Sequence, residues 1–250
     1  MQKYSLNNSI NLRKEDLEYL STIDKIWNAD DSQLIDKLKN FTSYVPHTEF
    51  TKLFVKYELF KMIKDYHGSI IECGVHQGNG IMTWSILSNI FEPTNHIRKI
   101  YGFDTFFGFP DFSNEDHSQN ENLKKNGFKT NSYENILKTV NNFDSVRHLG
   151  HIKKVQLIKG DAVETIPEFL SKNKHLLISL LYLDFDIYSP TKIAIKYFKD
   201  RMHKGSIIVF DEVNNEMWPG ETLAFIETLN IRDFELKRFF FNPQISYIIL

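Results

Sequence analysis

The chain of 250 residues predicts an α/β fold. The expected architecture is a mostly parallel, Rossmann-like seven-stranded sheet with helices on both faces, an N-terminal helical extension and an inserted lid at about 105–150. Three observations carry this reading. Apolar runs at 69–75, 99–103, 154–159, 176–183 and 205–210 alternate with helix-period segments near 80–91, 162–172, 191–202 and 220–229. That rhythm belongs to crossover units and a parallel sheet. Runs such as LLYL and SIIVF are continuously apolar, as strands covered on both faces are. Finally, the runs end in acid or glycine, and open α/β sheets bind ligands beyond the carboxyl ends of their strands.

Residues 1–47 are polar and charged, with a helical pattern near 33–41, and are read as an extension preceding a domain at 48–250. Thr48 is placed as a cap. After it Phe50, Leu53, Phe54, Tyr57, Phe60 and Ile63 recur at helical spacing. This stripe reads as packing against the sheet, with a ligand or subunit contact as the alternative. The stretch 104–150 breaks the rhythm. It is rich in Asn, Ser, Gly, Asp and His, holds one helix at 132–143, and reads as a lid or binding loop. The end, 234–250, reads as two strands joined by Asn242–Pro243, adding an antiparallel edge.

A chain of this length buries roughly 70–75% of its unfolded surface, enough for one sizeable core. Hydrophobic residues are 42% and charged residues 25%, the balance of a soluble globular protein. A net charge of −2 gives no basic field for nucleic acid, and the pairs Lys124–Lys125 and Lys153–Lys154 read as solvated surface. Cys73 is the single cysteine, so no internal disulfide forms, and its apolar strand context makes it a small core residue. No signal-peptide pattern and no apolar run of about 20 residues occurs, so a cytoplasmic protein without a membrane span is expected.

The segment IIECGVHQGNG (70–80) is a strand, a glycine turn and a helix start. Gly74, Gly78 and Gly80 follow neither the dinucleotide fingerprint nor the P-loop register. Glu72 lies within the apolar strand, where an unpaired carboxylate is costly, so a cation is expected beside it. S-adenosyl-L-methionine, with its sulfonium and ammonium, meets that need. Asp104 ends the next strand, where a carboxylate can accept both hydroxyls of a ribose, and a turn or cap is the alternative. Asp161 ends the third, facing an adenine amine or capping the helix that follows. Asp184, Asp211 and Glu212 end two strands separated by one crossover helix. Three oxygen ligands there point to a hard cation, Mg²⁺ by default. Such an ion lowers the pKa of an acceptor hydroxyl, and Asp184 is the first candidate for the catalytic base. Trp218 can stack on a sugar or pack locally, and Phe106 and Phe107 can line the site. His117 and His76 read as a solvated lid residue and a loop-positioning residue.

These residues together resemble the macrocin O-methyltransferase family, the Mg²⁺-dependent class I methyltransferases of deoxysugars. YGFDTFFGFPDF is similar to its second-strand signature, LDFDIYSPT to its metal strand, and IVFDEVNNEMWPGET to the dTDP-6-deoxyhexose 3-O-methyltransferase branch of the calicheamicin pathway. The resemblance runs from about residue 48 to the end. It implies metal ligands at Asp184, Asp211 and Glu212, and donor contacts at Glu72, Gly74, Asp104 and Asp161. Many relatives outside this branch have Asp-Asp where this chain has Asp211–Glu212. It also implies a sugar or sugar-nucleotide acceptor and a homo-oligomer, while the charge balance and hydropathy give no nucleic acid or membrane partner. A catechol or phenol O-methyltransferase and a donor-binding but inactive scaffold are the competing readings.

Overall fold

The computed structural model describes residues 13–117 and 127–250, so Lys124–Lys125 lie outside the described residues. The chain divides into two compact units, Met1–Phe54 and Val55–Leu250, with helix α3 (His47–Ile63) running through the boundary. The first unit contains α1 (Lys14–Ala29) and α2 (Leu34–Lys39), neither of which holds a buried residue. Trp27 meets Tyr44 edge-on at 4.9 Å there, and Lys37 donates to the Trp27 carbonyl at 2.9 Å. Helix α3 starts at His47, one residue before the expected cap Thr48, directly after Pro46.

The second unit is a seven-stranded sheet in the order β3-β2-β1-β4-β5-β7-β6. Its strands are β1 (Ser69–Cys73), β2 (Ile100–Asp104), β3 (Val155–Lys159), β4 (Ile178–Leu183), β5 (Met202–Phe210), β6 (Lys237–Phe239) and β7 (Asn242–Ile249). The first five pair in parallel, and β7 is antiparallel to both β5 and β6. The two strands of the terminal hairpin join at Phe240–Phe241, not at Asn242–Pro243. Phe239 pairs with Asn242, which leaves a two-residue turn and carries Pro243 into β7.

Helices α4 (Asn79–Phe91), α5 (Tyr133–Asp144), α6 (Ala162–Lys172), α7 (Tyr188–Phe198) and α8 (Pro219–Thr228) complete the unit. Alternation along each strand sorts its side chains into two cores. Ile70, Leu180, Tyr182, Ile207 and Val209 meet Leu59, Phe60, Trp84 and Ile136 on the α3–α4–α5 face. Ile71, Cys73, Leu181, Leu183, Ile208 and Phe210 meet Ile166, Phe198 and Phe225 on the α6–α7–α8 face. Cys73 is buried and unpaired, and burial pushes its thiol well up from the ordinary range. The order reverses between β1 and β4, which opens a crevice at their carboxyl ends. Among the described residues no helix is long and apolar enough to cross a membrane.

Candidate active site at the carboxyl edge

The loops leaving β1, β2, β4 and β5 each hold a non-glycine residue at positive φ: His76 (49°), Phe106 (55°), Asp186 (63°) and Asn214 (66°). Such conformations cost of order 1–3 kcal/mol each and gather where a site is pre-formed. Four at one edge of one sheet mark that edge as the site.

The glycine loop is built by close approach. Gly74 has φ +93°, and a Cβ there would collide with the carbonyl of Asp184, so β1 and β4 end side by side only with glycine at this position. Gly78 caps α4 in the left-handed conformation. Gly80 lets the first turn of α4 lie against the Glu72 carboxylate, which a side chain would strike.

Glu72 is buried, and the cation that the sequence demanded comes from the protein. Lys56 of α3 stands 3.7 Å from its carboxylate, and the Trp84 indole N–H donates to it. Lys56 also sits over the Tyr182 ring at 3.6 Å and the Trp84 ring at 4.6 Å. Burial pushes the Glu72 carboxyl above its usual range, and Lys56 pulls it back. Tyr182 extends the network by donating its hydroxyl to Asp211 at 3.1 Å. Burial, reinforced by Asp211, Asp184 and Glu72, raises its phenol well above the ordinary value, so it remains a donor.

Asp104 is a clamp. Its carboxylate accepts from the amides of Val75 (2.8 Å), His76 (2.7 Å) and Phe106 (2.6 Å), locking the glycine loop to the loop after β2. A carboxylate offers about four lone-pair sites. With three taken, the expected two-bond grip on a ribose diol does not fit this arrangement, though a single bond does. Asp161 caps α6 through Val163 N–H at 2.9 Å.

Asp184 and Asp211 are neighbours. Leu183 pairs with Phe210, and the Asp211 amide donates to the Leu183 carbonyl. Strand alternation aims both aspartates to the face that carries Glu72 and Tyr182. Glu212 follows Asp211 directly, beyond the end of β5. Its carboxylate accepts from the side-chain amides of Asn215 and Gln244, the latter at 2.6 Å. Among the described residues no three His, Cys, Asp or Glu side chains are gathered as a bound metal would hold them. The aspartate pair nonetheless suits Mg²⁺, which is commonly held by one or two carboxylates, with water and substrate oxygens completing the shell. Glu212, the third expected ligand, is engaged by Asn215 and Gln244 in this structure.

Two acids escaped the sequence reading. Glu221, fully buried on α8, accepts the Glu212 amide at 2.9 Å through one oxygen, and its other oxygen has no hydrogen-bond partner. Burial, with Asp211, Asp186 and Glu212 nearby, raises its carboxyl well above the ordinary range. Asp116 accepts the Tyr188 amide at the start of α7 (2.7 Å) and both the amide and hydroxyl of Ser113. It fastens the expected lid to the sheet edge. Trp218 is buried with Phe109 and Ile187, and Phe128 stacks on it, so it packs locally instead of offering a face. Phe106 is buried against Tyr133, whereas Phe107 is exposed. The Ser132 hydroxyl donates to the His76 carbonyl, and His117 follows the short turn of Asn114–Asp116.

A sheet in this order with an antiparallel seventh strand, a glycine loop after β1 and acids after β4 and β5 defines a class I S-adenosylmethionine-dependent methyltransferase. The macrocin-O-methyltransferase (TylF) family model matches residues 31–227, and the chain belongs to that family of sugar O-methyltransferases. The crystal structure of CalS11, a calicheamicin methyltransferase, is similar over 96% of this chain and 94% of its own, with 28% identity and a TM-score of 0.92. Apo CalS11, a TDP-rhamnose 3'-O-methyltransferase of calicheamicin biosynthesis, is similar over 98% of each chain, with 26% identity and a TM-score of 0.82. The O-methyltransferase NovP shares the fold, at 17% identity and a TM-score of 0.63 over 79% of this chain. No curated protein matches the chain.

Proposed function

We propose that the chain methylates the 3-hydroxyl of a nucleotide-activated 6-deoxyhexose, with Mg²⁺. The observation that carries this reading is the likeness along 98% of both chains to a TDP-rhamnose 3'-O-methyltransferase. The adjacent Asp184–Asp211 pair supports the metal.

S-adenosylmethionine supplies the methyl group as a sulfonium, and Mg²⁺ when bound lowers the pKa of a coordinated hydroxyl. Everything else falls to the chain. The glycine loop, held by Asp104, positions the donor, with Asp161 beside the adenine. Glu72 acts from beneath, keeping α4 and the loop in place through Lys56, Trp84 and Gly80. Asp184 and Asp211 would hold the metal. Asp184 takes the acceptor proton as the oxygen–methyl bond forms and the sulfur–methyl bond breaks. Glu212 orders the β5 loop against the terminal hairpin. Orientation of the hydroxyl for in-line attack supplies much of the remaining acceleration.

The test is mass spectrometry of reactions holding protein, donor and a panel of TDP-6-deoxyhexoses and catechols, with Mg²⁺ or with excess chelator. A product heavier by one methylene, from a sugar nucleotide and only with metal, is expected. Full activity in chelator overturns the metal, and activity confined to catechols overturns the acceptor. Asp184→Ala is expected to abolish turnover while calorimetry still detects donor binding. Loss of donor binding would refute the division of roles.

A further inference from the structure

We propose that the tip of the β6–β7 hairpin is the nucleotide subsite of the acceptor, with the Phe240 ring stacking on the base and the Arg238 guanidinium meeting the diphosphate. This inference rests on the acceptor being a nucleotide-activated sugar.

Topology puts the tip where such an acceptor must lie. Because β7 runs antiparallel to β5, its first residues sit at the carboxyl edge, beyond the strand that ends in Asp211 and Glu212. Gln244 ties the hairpin to that edge through its bond to Glu212. The glycine loop and Asp104 lie on the other side of the crevice, so the donor occupies the β1–β2 half and leaves the β5–β7 half for the acceptor.

The chemistry of the tip suits a base joined to phosphates. Phe240 is 92% exposed, more than any other large apolar side chain among the described residues. Its base is rigid. Phe239 is buried and stacks on Tyr247 at 5.1 Å, and Phe241 packs against Phe239 and meets Phe240 edge-on at 5.2 Å. An aromatic ring held out in water on an ordered hairpin is a platform that a planar base can cover. Arg238 pairs with Ser246, two residues from Gln244, so Arg238 and Gln244 share the hairpin face that leads to Glu212. The exposed Arg238 has the planar fork suited to phosphate oxygens. Trp218, the ring that the sequence offered for stacking, is buried and leaves this task to the hairpin.

The experiment is calorimetric titration of thymidine 5'-diphosphate, and separately of inorganic pyrophosphate, into the full chain. It compares wild type with Phe240→Ala, Phe240→Trp and Arg238→Ala. Losing one base–aromatic stack is expected to weaken diphosphate binding about tenfold in Phe240→Ala, with recovery in Phe240→Trp. Pyrophosphate binding should be untouched by Phe240→Ala and weakened by Arg238→Ala. The side chains replaced are exposed, and thermal melts check that the variants fold. Unchanged nucleotide affinity in Phe240→Ala, or no binding by wild type, overturns the subsite. So does a drop in oligomeric mass by light scattering with affinity unchanged, which would make the tip a contact between copies. Turnover is scored separately. Failure to methylate any sugar nucleotide while the diphosphate still binds through Phe240 would overturn the acceptor assignment and not the subsite.

Discussion

Lys56→Met removes the cation facing Glu72 and keeps most of the apolar stem. Lys56 and Glu72 are both nearly inaccessible to water, 3.7 Å apart, and Lys56 also lies over two aromatic rings. Stripping one partner from a buried pair costs about 3–5 kcal/mol, because the remaining charge is uncompensated. For a unit of this size that is a fall of roughly 6–20 °C in Tm. Glu72 can escape part of the cost by keeping a proton, since burial already raises its carboxyl. A carboxyl whose folded pKa lies above its unfolded value loses stability as pH climbs between the two. The deficit of the variant should therefore be larger at pH 8 than at pH 5. Urea melts at both values measure it, and Lys56→Met with Glu72→Leu should recover most of the loss. A deficit at pH 8 below about 1 kcal/mol, the range of a surface pair, would refute the reasoning. So would a double variant no more stable than the single one.

Gly74→Ala should destabilise by more than the roughly 1–2 kcal/mol of a left-handed backbone alone, since its methyl meets the Asp184 carbonyl. Chemical denaturation checks the stability and calorimetry the accompanying loss of donor affinity. Glu221→Gln keeps the acceptor for the Glu212 amide and discards an ionisable group whose carboxyl is raised above 4.5. It should gain on wild type as pH rises above that value and lose the advantage below it, so a stability difference flat from pH 5 to 8 would refute the assignment. Asp116→Ala should cost about 2–3 kcal/mol for a buried charged acceptor, with faster proteolysis at residues 109–117, and protection equal to wild type would sink its role as a fastener.

Most of the sheet was legible because buried parallel strands are unbroken apolar runs. SIIEC and LLYL need no partner information to be recognised, and Asp184 and Asp211 stand out at their ends. What stayed hidden depends on distant pairing. Glu72 announces a missing cation, but nothing local says that a lysine sixteen residues earlier, among the aromatics of α3, supplies it. Asp104 at a strand end reads as a ribose contact, with a turn or cap as the alternative, until the amides of Val75 and His76 arrive from the neighbouring loop. Helix α1 buries no residue and so has no firm apolar stripe to read. At the hairpin, Asn242–Pro243 has turn chemistry, yet packing of Phe239 and Phe241 moves the turn two residues earlier. Asp211 and Glu212 look like a matched pair in sequence, whereas the fold gives them different partners, Tyr182 for the first and Asn215 and Gln244 for the second.

The reversal of strand order between β1 and β4 also divides the molecule for engineering. On the proposed roles, residues up to about 172 would carry the donor contacts and those from β4 onward the metal pair, so a single crossover between α6 and β4 would separate the two sets. The fastening of Asp116 to Tyr188, against the bare Gly220, spans that junction. A successful chimaera would have to inherit Asp116 and Gly220 as a matched set, whichever parents supplied the rest.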